Sequence, residues 1–367
     1  MRQIFIVLII SFNTVVMAAD VVSGSGGRTL SVRDIASFAS PWAIEMLDAG
    51  RLLVTEKSGQ LWTVRGSGEK TAIDGLPKIY VGGQGGLGDV VLHPNFEANR
   101  WVYLSFVDSP DGGRTRYAHV VRARLILDDR PRLEGLESIW RQMPATQGEG
   151  HFSHRIAFGP AGSAQAGMLF ITSGDRQLQW PAQDMEMAQG KIIRLHDDGA
   201  VPVDNPFQDQ GTLARTFWSV GHRNMLGMAF DSRGVLWAHE MGPRHGDELN
   251  RITAGANYGW PEVSEGNHYS GVPIPPHSSQ PQFVAPIQFW VPTIAPSGMT
   301  IDGDTMFIGG LRSQALIKLR INGDVAQELE RFEMGRRIRD VQFDAKGGLW
   351  FIEDGRSARL RYVEAPR

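Results

Sequence analysis

Arg337 and Arg339 flank Ile338, so an extended backbone puts two permanently charged guanidinium groups on one face and Ile338 on the other. Like charges concentrated in this way want an anionic partner, and the planar fork of arginine suits carboxylates or quinone oxygens. Arg223, within Gly221–Asn224 (GHRN), offers a third fork. Any one of them alone is more often a surface ion-pair partner. His151 follows Gly148, Glu149 and Gly150 just ahead of an apolar run, where a neutral imidazole can meet a substrate hydroxyl as a general base. His154 is the alternative, and spacing alone does not choose between them. Asp175, closing TSGDR, is a candidate to fix the tautomer of a catalytic imidazole, although a turn is the commonest structural use of aspartate.

Two further segments carry polar groups in Gly-rich surroundings. Gly82–Gly88 (GGQGGLG) superficially suggests a phosphate loop, but no Lys-Ser/Thr follows and the next segment reads as a strand. It is either a flexible turn or a loop that presents the Gln84 amide to a ligand. Glu240–Glu248 (EMGPRHGDE) mixes carboxylates with a Gly-Pro able to expose main-chain carbonyls, hard oxygen donors appropriate to calcium, without the spacing of an EF-hand. Zinc at His239, His245 and Glu248 is a weaker reading, because no HExxH pattern is present.

These groups need a scaffold that brings distant loops together. A short apolar strand, a Gly/Asp/Asn turn and a second strand with a bulky pair recur six times. The copies are Trp42–Trp62, Asp89–Phe106, Arg155–Asp175, Gly227–Met241, Gly298–Leu319 and Asp340–Leu360, starting roughly 40 to 70 residues apart. One hairpin cannot bury its own apolar face, so six four-stranded antiparallel sheets packed radially are expected: an all-β, six-bladed β-propeller. An open sandwich would leave the six similar hairpins unexplained. The 43 glycines and 20 prolines suit a turn-dense chain. The irregular stretch Pro261–Pro286 is expected to run over one face of the disc.

Composition narrows the partners. With 42% hydrophobic and 21% charged residues the chain reads as folded, and a net charge of -3 gives no reason to expect nucleic acid or anionic membrane as partner. There is no cysteine, which excludes disulfides and thiolate chemistry. Met1-Arg2, the apolar run from Ile4 and the small residues at Val16-Met17-Ala18 form a secretory signal peptide over residues 1–19, cleaved after Ala18 or Ala19. Ser11, Asn13 and Thr14 interrupt that run short of a membrane span, so a periplasmic or secreted protein without stable membrane insertion is expected, its propeller over residues 20–367.

The ordered motifs LLVTEKSGQLW, GGQGGLGDVVLHPNF, HFSHRIAFG, TSGDR, WSVGHRN, GPRHGDELN, NYGWP, PTIAPSGM and RIRDV resemble the soluble pyrroloquinoline-quinone (PQQ) glucose, sorbosone and aldose sugar dehydrogenases, over nearly the whole mature chain. The resemblance implies an enzyme that oxidises an aldose sugar to a lactone with PQQ and Ca2+, passing electrons to an unknown acceptor. It makes His151 the base and Asp175 its orienting partner, and it places Gln84, Arg223, Asn224, Thr293, Arg337 and Arg339 at the cofactor or the reacting oxygen. Gly242 and Pro243 match carbonyls that hold calcium beside the quinone, and Glu248 with Tyr258 resembles a further calcium site. Three positions depart from the pattern: Met241 where Gln or His is frequent, Arg312 where a cofactor-binding Lys is common, and Gly150 where glucose-specific members carry Asp. Arg312 keeps the charge with a different donor geometry. The rival readings are a non-catalytic sugar- or protein-binding propeller and, more weakly, a calcium-dependent lactonase.

Overall fold

The computed structural model describes residues 19–366; the signal peptide expected over residues 1–19 lies, but for Ala19, outside them. Six antiparallel sheets account for nearly all the regular structure. Their first strands are Pro41–Asp48, Leu87–Leu92, Ser153–Phe158, Met225–Phe230, Pro296–Asp302 and Ile338–Phe343. Each touches the next, and the sixth returns to the first, so the six strands line a central axis as a closed ring. The chain is a six-bladed β-propeller, and each repeated hairpin of the sequence supplies the two innermost strands of one blade.

Three of the second strands, Leu169–Ser173, Leu236–Glu240 and Leu349–Glu353, are buried along their whole length. Each blade is covered on both faces by its neighbours, so these strands read as continuous apolar runs rather than as alternation. The turns repeat in detail. In blade four the Asp231 carboxylate accepts from the backbone N–H groups of Arg233 and Val235 and from the Trp237 indole, with Gly234 at φ 80°. In blade six Asp344 accepts in the same way from Lys346, Gly348 and Trp350, with Gly347 at φ 80°. An aspartate that caps its own turn and anchors a tryptophan six residues on is the physical content of the recurring phrase.

Blade six is completed from the other end of the chain. Thr29–Phe38 pairs antiparallel with Ala358–Val363, and Asp20–Ser23 adds a fifth strand outside it. Arg361 clamps the join through Asp34 at 2.5 Å and through Asp20. At the centre of the disc Arg155 of blade three is buried between Asp89 of blade two, at 3.0 Å, and Asp340 of blade six, at 2.9 Å. Its Nε donates to the Leu226 carbonyl of blade four, and its guanidinium lies 4.2 Å from the Trp42 ring of blade one. One side chain thereby ties five blades. Among the described residues no helix is long and apolar enough to cross a membrane.

Candidate functional site

The segment 148–154 enters blade three with His151, Ser153 and His154 at φ 48°, 58° and 58°, left-handed values that non-glycine residues adopt at a cost. Neighbouring loops hold it there. The Gln84 side-chain oxygen accepts from the His151 backbone N–H at 2.8 Å, and the buried Arg176 donates to the Gly148 and Gly150 carbonyls while lying 3.5 Å from the Phe152 ring. The Ser153 hydroxyl accepts from the Met225 N–H and donates to Asn224.

His151 Nδ1 stands 2.7 Å from Asp175 Oδ1, and the other carboxylate oxygen accepts from the Trp260 indole at 2.8 Å. Burial pushes His151 below the ordinary imidazole range; Asp175 opposes this, and the nearby Arg223 and Arg176 reinforce it. Burial raises Asp175, but the His151 hydrogen bond, the Arg223 charge and the Gln177 N–H outweigh it and hold the carboxyl below its ordinary range. A neutral ring beside a carboxylate donates through Nδ1–H, which leaves Nε2 with a free lone pair, the state a general base requires. His154 is differently placed. Its Nδ1 meets the Ser105 hydroxyl at 2.7 Å, its ring stacks on Trp42, and burial lowers it to about 3.

A cavity of about 290 Å³ lies on this side of Arg155, and its walls bring together Gln84, Ser153, His154, Asn224, Met241, Arg337 and Arg339 from four blades. Arg337 and Arg339 share one carboxylate, Asp354, at 2.7 and 2.8 Å. The anionic partner their spacing calls for is thus partly internal. Arg223 is buried between the Trp260 and Tyr269 rings and donates to the Met241 and Gly242 carbonyls, while its Nε has no partner. Tyr269 comes from the stretch 261–286, which here reaches over the site, its hydroxyl 3.2 Å from Arg223.

Two expected cofactor contacts are placed elsewhere. The Thr293 hydroxyl bonds Asp247, and Arg312 is exposed beside Leu311, which does line the cavity. Gly242 is packed so closely that a Cβ would stand 2.1 Å from the His245 carbonyl oxygen, and the Pro243 carbonyl accepts no backbone hydrogen bond among the described residues. Glu248 is buried near Glu240, and burial followed by that second carboxylate pushes it well above its ordinary range. Tyr258, with Gly242 and Glu248, borders a second, much smaller cavity; its hydroxyl is turned to the Arg251 carbonyl, and its own carbonyl meets His277 Nε2 at 3.1 Å. Among the described residues no three His, Asp or Glu side chains form a metal cluster, which removes the zinc reading of His239, His245 and Glu248. Lys57, Trp42, Asp354 and Trp260 belong to the site and were not singled out from sequence; Lys57 and Trp260 had a signal, in LLVTEKSGQLW and NYGWP.

The Glucose / Sorbosone dehydrogenase family profile matches residues 38–362. Aldose sugar dehydrogenase YliI of Escherichia coli is 36% identical over 345 residues, covering 89% of this chain and 90% of that protein. The apo-form crystal structure of the soluble aldose sugar dehydrogenase from Escherichia coli superposes with a TM-score of 0.84 at 34% identity, over 92% of this chain and all of that one. The PQQ-bound aldose sugar dehydrogenase from Streptomyces coelicolor gives 0.76 at 29% identity, over 91% of this chain and 98% of that one. Fold, site and relatives together define an oxidoreductase of the sugar dehydrogenase class. The chain belongs to the glucose/sorbosone dehydrogenase family.

Proposed function

We propose that this protein oxidises aldose sugars to lactones with PQQ and calcium, acting in the periplasm or outside the cell. The observation that carries the reading is the His151–Asp175–Trp260 chain, tied by the Gln84 side chain to a cavity with Arg337 and Arg339 in its walls. The donor set fits a polyanionic quinone: Arg337 and Arg339 have one carboxylate between them, and the buried Arg223 Nε is unpartnered. Gln84, Arg223, Asn224, Thr293, Arg337 and Arg339 would hold the cofactor, with Thr293 released from Asp247 to do so; Arg312 stays outside the walls. Carbonyls of Gly242 and Pro243 are oxygen donors suited to calcium, and a second cation beside Glu248 and the Tyr258 carbonyl would offset the charge of the two neighbouring buried carboxylates Glu240 and Glu248.

When bound, PQQ would supply a two-electron hydride acceptor and calcium a Lewis acid. His151 accepts through Nε2 the proton of the anomeric hydroxyl as hydride leaves the same carbon, and the ring oxygen and C1 are left as the lactone. Asp175 stabilises the imidazolium that forms, and Trp260 fixes Asp175. An external electron acceptor, of chemistry still open, completes turnover.

The test is single-turnover reduction of the quinone by aldose in protein reconstituted with PQQ and calcium, with NAD as a control that does nothing. His151→Gln slows that reduction about 10²–10⁴-fold with cofactor binding retained, and His154→Gln is much milder. Parental reduction in His151→Gln overturns the base. No quinone uptake by the parent leaves a non-catalytic propeller as the better account.

A further inference from the structure

We infer that Lys57 is a third cationic residue of the cofactor cavity and binds a carboxylate of the quinone together with Arg337 and Arg339; the inference rests on the proposed function. Lys57 begins the turn after strand Arg51–Glu56 of blade one, and its side chain lines the cavity with both arginines and Gln84. The loop 82–88 fixes it from several directions. Its Nζ donates to the Gly83 carbonyl at 2.9 Å, its own carbonyl accepts from the Leu87 N–H, and its N–H donates to the Ser40 carbonyl. Gly86, at φ 136°, lies so close that a Cβ would sit 2.4 Å from the Lys57 carbonyl oxygen, and a Cβ on Gly83 would meet Glu149 at 2.5 Å. The glycines of GGQGGLG therefore let the loop close on Lys57 and Glu149.

The charge balance around Lys57 points to an anion. Asp354 is the carboxylate that Arg337 and Arg339 share: Arg337 takes Oδ2 and Arg339 takes Oδ1 through two donors. Lys57 has no carboxylate within ion-pair distance among the described residues; burial first, and then repulsion from Arg339, disfavour its charge, and only the weaker attraction of Asp354 opposes them. Three cations face one carboxylate in a half-enclosed space. A lysine ammonium carries three donors, and the Gly83 carbonyl uses one. An anionic group entering the cavity is offered the others with the side chain already held in place, so little ordering is lost on binding.

Equilibrium titration of calcium-loaded apoprotein with PQQ, followed by quinone absorbance, tests this without any turnover. Lys57→Gln, which can still reach the Gly83 carbonyl but has no charge, is expected to weaken binding about tenfold to a hundredfold. Lys57→Arg and the exposed Arg312→Gln should stay near the parent, and the thermal midpoint of each apoprotein should match the parent's. Parental affinity in Lys57→Gln overturns the inference and leaves the proposed function standing. A thermal midpoint lowered in Lys57→Gln, with affinity restored by Lys57→Met, also overturns it by assigning the lysine a structural role. A parent that takes up no PQQ overturns the proposed function and this inference together.

Discussion

His151 works at the boundary between two opposing influences: burial favours the neutral ring, and Asp175 favours the charged one. Burial wins, so the ring of the proposed base is held below the ordinary imidazole range and its neutral form is favoured. The acid limb of quinone reduction in single turnovers is therefore expected below the usual imidazole range. Asp175→Asn removes the one strong influence that raises His151, so the limb moves further toward acid while the plateau rate falls about 10²–10⁴-fold. A limb that moves toward neutrality in Asp175→Asn would show that the carboxylate does not act on this ring. At this scale sequence separated role from background only in part. Spacing left His151 and His154 equivalent, and what distinguishes them is the Asp175 carboxylate on one and the Ser105 hydroxyl with a Trp42 stack on the other.

The loops that carry these residues meet edge to edge, and Gly150 is one point of contact. A Cβ there would stand 2.2 Å from the Gln177 side-chain oxygen, the far end of a flexible side chain, so an aspartate fits once Gln177 turns away. Gln177 holds Asp175 through its backbone N–H, which need not move. Gly150→Asp should then change stability by less than about 1 kcal/mol while altering the ratio of glucose to other aldose oxidation rates. Unchanged ratios, measured across a panel of aldoses in the reconstituted protein, would remove Gly150 from the determinants of selectivity. Hairpins were legible because a strand, a capped turn and a returning strand leave a local signature, as at Asp231–Trp237 and Asp344–Trp350. The role of Asp354 was not, nor that of Lys57 inside LLVTEKSGQLW, since an aspartate in a turn and a lysine after a strand look alike whether or not a cavity lies beside them. The Thr293 hydroxyl shows the same limit, because its bond to Asp247 depends on a neighbouring loop.

Across the whole disc, cohesion concentrates at Arg155, where two buried carboxylates from blades two and six share one guanidinium. Even so paired, Asp89 is pushed up to about 6 by burial, only partly offset by Arg155. Arg155→Ala leaves both carboxylates without their cation, and a loss of about 3–5 kcal/mol is expected in urea unfolding. A loss under about 1 kcal/mol would show that the blades hold together without the hub. The number of blades followed from counting hairpins, but the closure of the ring did not. Thr29–Phe38 pairs with the last strand, and Asp34 and Arg359 meet although 325 residues separate them in sequence, a distance over which no local pattern speaks. That closure also sets an order of events. As the chain is synthesised from its N-terminus, Thr29–Phe38 waits as an unpaired edge until Ala358–Val363 emerges, exposed to mispairing in the interval. Arg337, Arg339, Asp340 and Asp354 arrive with that same late segment. A prematurely ended chain lacks both the latch and the two arginines of the cavity wall, so the cavity is completed only in a chain that has finished closing on itself.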